Sequence, residues 1–266
     1  MTRPSVRESS GIVAFKVEVV PLLHVERKLY DVPRGRERFD AYVATMTMGT
    51  GEAALPLTAL NPMGREHVAA AIDRMIELGI EDGASEAASE AQRRLAAVED
   101  SLRVAVVVAD DLKGGWTNRY FTEMANRFER KYEVEHGWAT VLFWTSEEPS
   151  LERARTQTLG AIYRALHQRR RGAATTLRAM MEQEGRAARF AGERMHLDAA
   201  ELQRSRAIIE PHLDSTSYPV IAAALYGDDA GASLGYPPLG LPARAGYALA
   251  LANALAEPHT PESSLS

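Results

Sequence analysis

The sequence predicts an α/β protein in which a partly parallel central sheet is flanked by helices. Residues 104–109 form an unbroken apolar run, which suits a strand buried on both faces. Strand-like and helical segments then alternate between residues 103 and 171, as in parallel βαβ units. Most of the chain after residue 150 shows helical spacing of its apolar residues. We therefore expect a β-rich N-terminal portion, a central βαβ unit and a helical C-terminal half.

The N-terminal portion is expected to contain two strands followed by two helices. Residues 11–20 alternate between apolar and polar side chains, which is typical of a half-buried strand, and residues 22–30 are a candidate second strand. Residues 39–48 fit either a strand or a helix. Two helices should follow, over 61–78 and 85–98, the first opened by an asparagine–proline pair.

The central unit continues with a helix over 118–131, a strand over 137–144 and a long helix that Ser150 caps and Gly172 ends. Residues 218–227 fit either a strand or the start of a helix. Further helices are expected over 174–189, 198–209 and 244–255.

The chain is expected to fold as a single domain over residues 1–266. The alternative is a subdivision into an N-terminal β/α portion, a core with its helices, and a disordered polar tail. The boundaries of these parts would be 11–100, 101–256 and 257–266.

Composition and charge exclude several classes of function. The net charge of −5 and the absence of a long basic run argue against a nucleic-acid partner. No cysteine is present, so disulfides, thiolate catalysis and cysteine-ligated metal sites are excluded. No apolar stretch approaches the roughly 20 residues of a membrane span, and no signal peptide is recognised. We expect a cytoplasmic protein without a membrane partner.

The candidate site is the carboxyl end of the predicted central strand, where ligands of open α/β sheets bind. Asp110 and Asp111 follow the strand, and either would act as a general base or metal ligand in an enzyme. The glycines that follow allow the backbone to approach a ligand closely. The cations and the first amides of the next helix favour an anion. These candidate ligand-binding residues are Lys113, Gly114, Gly115, Trp116, Thr117, Asn118 and Arg119.

The loop has neither the glycine spacing of a Walker loop nor that of a dinucleotide fingerprint, and no cofactor is indicated. Of the seven histidines, we would test His136 first as a general base, because it precedes the strand that should neighbour the central one. If the two strands are parallel, His136 lies at the edge of the sheet opposite Asp110.

The leading functional hypothesis is binding, with or without transformation, of a small polar or anionic ligand at residues 110–120. The alternative is a non-catalytic interaction or assembly subunit, which includes a homo-oligomer, with docking surfaces on the small-residue helix faces at 84–98 and 243–256 and on the proline-rich loop at 236–242. A third hypothesis is a divalent-metal-dependent enzyme. Its further acidic ligand would be Glu147, Glu148, Asp228 or Asp229.

Overall fold

The computed structural model describes residues 14–112, 118–129 and 131–265. Within these ranges the sheet has three parallel strands in the spatial order β1-β2-β3. The strands are β1 (Lys16–Val19), β2 (Ser101–Ala109) and β3 (Trp138–Trp144). The predicted α/β fold, with a parallel sheet and flanking helices, is confirmed, and the pairing is parallel throughout.

Helices cover the sheet and fill the C-terminal half. Before β2 lie α1 (Leu23–Leu29), α2 (Arg36–Thr47), α3 (Glu66–Glu77) and α4 (Ile80–Arg94). Between β2 and β3 lie α5 (Arg119–Met124), a π-helical turn (Ala125–Glu129) and α6 (Lys131–Glu135). After β3 lie α7 (Leu151–Arg171), α8 (Leu177–Ala191), α9 (Ala199–Ile209), α10 (Tyr218–Tyr226), α11 (Asp228–Ser233) and α12 (Ala245–Ala256).

The central strand β2 is buried on both faces, as its unbroken apolar run predicts. Val104, Val106 and Val108 pack into a cluster with α4 and α7. The alternate residues Ala105 and Val107 pack on the other face, against α1, α2 and the segment 55–60. A third cluster joins α5 to the helices after α7. The hydrophobic effect therefore places β2 between two layers, and only its ends are open to polar groups.

Some local predictions were wrong. The candidate strand at 22–30 is the helix α1, because Leu23, Glu26 and Leu29 recur at a spacing of three and lie on one buried face. The asparagine–proline pair does not open a helix. Instead α3 begins at Glu66, and Asn61 binds a residue at the end of β2. The two ambiguous segments, 39–48 and 218–227, are helical in α2 and α10.

The polar C-terminal residues pack against α7 as far as residue 265, where we expected disorder. Leu265 is 1% exposed and belongs to the same cluster as β2. Ser264 hydrogen-bonds to Tyr163 Oη at 2.7 Å. Arg170 and Arg171, at the end of α7, donate to the carbonyls of Leu265 and Ser264. The basic end of α7 therefore holds the tail.

The small-residue helix faces proposed as docking surfaces lie inside the molecule. The alanines of α4 face α7, and α12 packs closely on α8. Within the described ranges, none of the helices combines the length and the apolar character of a membrane span.

Candidate functional site

Asp110 lies at the carboxyl end of β2, where the sequence predicts the site, and its carboxylate accepts from four groups. Asn61 Nδ2 donates to Oδ2 at 2.9 Å, while Thr145 Oγ1 and the amide of Leu112 donate to Oδ1 at 3.1 and 3.2 Å. His67 Nε2 lies 2.8 Å from Oδ1. A carboxylate oxygen only accepts, so His67 Nε2 carries a proton and donates to it, which leaves Nδ1 as the second ring nitrogen. That Nδ1 is buried and has no partner among the described residues.

Asp111 joins the ends of β2 and β3 to α5. It accepts from the amide and the hydroxyl of Ser146 at 2.9 and 2.6 Å. Thr145 Oγ1 lies 3.2 Å from Asp111 Oδ1, so its single hydroxyl proton is shared between Asp110 and Asp111. Arg119 Nη1 donates to Oδ2 of Asp111 at 3.3 Å, and the hydroxyl of Ser146 donates to the same oxygen. Asp111 therefore has a structural role in this arrangement and positions the guanidinium of Arg119.

The predicted ligand-binding residues separate into three groups. Asn118 caps α5, because its Oδ1 accepts from the amides of Tyr120 and Phe121. Arg119 lines a large cleft beside β3. The remaining residues, Lys113, Gly114, Gly115, Trp116 and Thr117, lie outside the described residues.

A cleft of about 520 Å³ lies between the carboxyl half of β3, the α5 segment, α7 and the start of α12. We call it the arginine cleft. Its lining includes six arginines: Arg119, Arg127, Arg153, Arg164, Arg194 and Arg244. Four glutamates also line it: Glu123, Glu147, Glu152 and Glu193. The lining therefore carries two more positive than negative side chains, which favours an anionic occupant, while Glu184 behind the wall pairs with Arg127 and Arg164.

Glu184 lies behind the wall of the cleft and holds two of its arginines in place. It is buried, receives Arg164 Nε at 2.9 Å and forms a close ion pair with Arg127. Burial alone would raise the pKa of Glu184, but the charges of Arg164 and Arg127 outweigh it and lower the pKa. Gly160 makes room for Arg164, since a β-carbon there would lie 3.1 Å from Nη2.

Glu123 lies in the wall of the cleft among three guanidinium groups. Arg119, Arg244 and Arg127 approach its carboxylate at 3.3, 3.6 and 3.9 Å. Burial would raise the pKa of Glu123, but these three charges lower it. Glu123 is therefore ionised at neutral pH.

Two irregular backbone segments meet at the cleft. The π-helical turn carries Asn126 and Arg127, and such turns are frequent at functional sites. Arg244 has a φ of 55°, in the left-handed region that non-glycine residues rarely adopt. Its guanidinium lies 4.6 Å from the ring centroid of Tyr247. Strained residues held by their surroundings cluster at functional sites.

His136 lies at the amino edge of the sheet and is not brought together with Asp110. Its Nδ1 lies 2.8 Å from the carbonyl of Tyr132, and the two rings stack with centroids 3.9 Å apart. It lines a separate depression of about 570 Å³ beside Lys16 and Arg103. This depression is at the wrong end of the strands for the usual ligand position in such folds. The histidine that meets Asp110 is His67.

The acidic residues proposed as metal ligands do not come together. Among the described residues, no three histidine, aspartate or glutamate side chains form a group that could hold a metal ion. Glu147 pairs with Arg119 and Arg153, and Asp228 accepts from the amides of Leu239 and Gly240.

Sequence reasoning missed most of the cleft, because its residues come from helices far apart in the chain. Arg127 and Glu184 are separated by 57 residues. One local signal was available: Gly160 lies four residues before Arg164, one helical turn away, in a helix with few other reasons for a glycine. Comparisons with protein-family models, with curated protein sequences and with solved structures gave no match for this chain.

Proposed function

We propose that this protein binds a small anionic ligand, carrying a phosphate or carboxylate group, in the arginine cleft beside the carboxyl edge of β3. The observation that carries the proposal is the guanidinium of Arg164. It is buried, it lines the cleft, and within the described residues it donates only from Nε, to Glu184. Its two terminal nitrogens therefore have donors to offer, and a planar fork of this kind matches an oxyanion.

Other features of the cleft support the same function. Its volume is within the range of small-molecule sites. Arg119 lies 5.1 Å from the ring of Trp144, so an aromatic surface adjoins the cations. The cleft also adjoins the strand ends, the position where folds of this class bind ligands. Transformation of the ligand stays a prediction from the sequence, as does a cytoplasmic location.

Calorimetric titration with phosphate- and carboxylate-bearing compounds tests the proposal. A ligand present at a hundred times its Kd should also add about 2.7 kcal/mol to the free energy of unfolding, visible as a rise in Tm. The informative variant is Arg244→Gly, because glycine accepts the left-handed backbone of this position while the guanidinium is removed. We expect this variant to fold and to bind at least about tenfold more weakly.

Arg178→Ala is the matched control. Arg178 is half exposed, pairs with Asp214 and lies outside the cleft, so its loss should leave ligand affinity unchanged. If no oxyanion binds the wild type, or if Arg244→Gly binds as well as Arg178→Ala, the proposed function is wrong.

An interaction function is the second proposal, and one surface favours it. The half-exposed ring of Phe121 stacks on Tyr218 at 5.1 Å, and Tyr236 meets Tyr218 edge-on at 6.1 Å. The exposed Pro237 and Pro238 follow directly. A stable complex with another protein, formed by a chain that no oxyanion stabilises, would favour this function over ligand binding.

A further inference from the structure

We infer that the ligand of the arginine cleft is an anion that also carries hydrogen-bond donors, as hydroxyl or ammonium groups. This inference rests on the proposed function and adds a second chemical requirement to it. Two buried acceptor atoms that have no hydrogen-bond donor among the described residues carry the argument, and they belong to the cleft-lining residues Glu123 and Asn126.

Glu123 presents an oxygen without a donor. Its side chain is 7% exposed, and Oε1 accepts from Arg119 Nε at 3.3 Å. Oε2 is buried and has no hydrogen bond within the described part of the chain, since Arg244 and Arg127 stay at 3.6 and 3.9 Å. A buried carboxylate oxygen is normally hydrogen-bonded, and the two ion pairs compensate the charge of this one without giving it a direct hydrogen-bond donor.

Asn126, another residue that lines the cleft, carries a second such oxygen. Its Nδ2 donates to the carbonyl of Thr140 at 3.3 Å, which identifies the other atom as Oδ1. That Oδ1 is buried and finds no donor among the described residues. Glu123 and Asn126 are three residues apart across the junction of α5 and the π-helical turn, and both line the cleft.

An oxyanion alone does not match this wall. Phosphate and carboxylate oxygens satisfy the arginines, but they offer few or no donors to Glu123 and Asn126 and are repelled by the charge of Glu123. Hydroxyl or ammonium groups on the same molecule supply those donors. The ligand class that satisfies both sets of groups is a phosphorylated or carboxylated small polyol or amine.

Calorimetry on the full chain at fixed ionic strength tests this class with three probes. Methyl phosphate carries the anion without hydroxyl or ammonium groups, glycerol 3-phosphate adds hydroxyl groups, and phosphoethanolamine adds an ammonium group. We expect at least one of the last two to bind about tenfold more tightly than methyl phosphate, as one or two hydrogen bonds to buried acceptors would give. The tighter of the two identifies the donor.

Asn126→Leu should reduce the preference for the donor-bearing probe over methyl phosphate roughly fivefold, with the affinities for both probes measured on the same variant. Asn253→Leu is the matched control. Asn253 is exposed on α12, accepts from Arg206 and lies outside the cleft, so this variant should keep the full advantage.

The outcomes separate the two proposals. If the three probes bind the wild type equally, the ligand class is wrong and anion binding stands. If Asn126→Leu keeps the full advantage, the assignment of the donors to this wall is wrong. If none of the probes binds and Arg244→Gly changes nothing with any oxyanion, the proposed function fails and this inference fails with it. The wild-type comparison needs no variant, so a misfolded Asn126→Leu leaves the inference testable.

Discussion

Glu26 is a carboxylic acid buried beneath the carboxyl half of β2. Its side chain has no exposure, and Oε2 accepts from the amide of Val108 at 3.1 Å. Burial raises the pKa of Glu26 well above its usual value, the Val108 amide offsets this in part, and the charge of Glu81 adds to it. The native protein therefore keeps a proton on Glu26 to a higher pH than the unfolded chain does.

This proton makes stability depend on pH. The unfolded chain releases it above a pH of about 4.3, whereas the native chain keeps it, so Glu26 lowers the free energy of unfolding as pH rises from there toward the raised pKa. The slope is at most about 1.4 kcal/mol per pH unit. Glu26→Gln removes this contribution, so in urea unfolding the variant should gain stability relative to wild type as pH rises from about 4.3 toward the raised pKa. Parallel pH profiles would contradict the prediction.

Asp110 shows how far the sequence predicts a single residue. An aspartate after a buried apolar strand is expected at the open edge of a parallel sheet, and Asp110 is there. Its partners Asn61, His67 and Thr145 come from three separate segments and carry no shared pattern. The local sequence was enough to predict where Asp110 lies. Its hydrogen-bond partners could be identified only from the folded structure.

At the scale of elements, the close contact of α8 with α12 depends on small residues. A β-carbon on Gly185 would overlap the backbone carbonyl of Ala250, so the two helices approach as closely as they do because Gly185 has no side chain. The alanine-rich sequence of α12 supplies the opposite surface. Such a contact fixes the position of α12 and therefore of Arg244 at its start.

Gly185→Ala should separate the two helices. We expect a loss of about 1 to 3 kcal/mol in the free energy of unfolding, as in other overpacked cores, measured by urea denaturation. Gly231→Ala is the control, because in α11 the nearest atom to the new β-carbon is a side-chain methyl at 3.3 Å, and the gain in helix propensity offsets a small adjustment. Equal effects of the two substitutions would show that the α8–α12 contact is not close.

The long helices and all three described strands were predicted, and the short helix α1 was not. The long helix α7 begins after its Ser150 cap and ends at Gly172, as the sequence indicates, and α12 matches its predicted range to within a residue. In contrast, α1 has only seven residues. In so short a segment, the spacing of apolar residues does not distinguish the period of a strand from that of a helix. In the folded protein, the buried residues of α1 pack into the two hydrophobic clusters on either face of β2, which stabilises the helix.

At the scale of the whole molecule, the C-terminal tail completes the core. Leu265 packs with residues of β2 and α7, and the end of α7 binds the tail backbone. Leu265→Ala should therefore lose about 2 to 4 kcal/mol of unfolding free energy. Leu255→Ala, at a position that is 54% exposed, should change it by less than about 1 kcal/mol. Urea denaturation of both variants measures the difference, and equal losses would mean that the tail contributes nothing.

The arginine cleft is also a property of the whole molecule. Its charged groups come from α5, the π-helical turn, α7 and the start of α12, and Glu184 holds two of them from α8. In the sequence these residues are charged positions on ordinary amphipathic helices. Folding places them around one cavity, because the third hydrophobic cluster packs the C-terminal helices against the α5 segment.

The sequence by itself determined the fold class, the buried central strand, the long helices and the end of the sheet at which Asp110 lies. These features depend on local periodicity, and each segment displays its own hydrophobic pattern. Only the tertiary structure decided that His67 rather than His136 meets Asp110, and that the arginines converge beside β3. The reason is that such contacts join distant segments, and their formation depends on how whole elements pack.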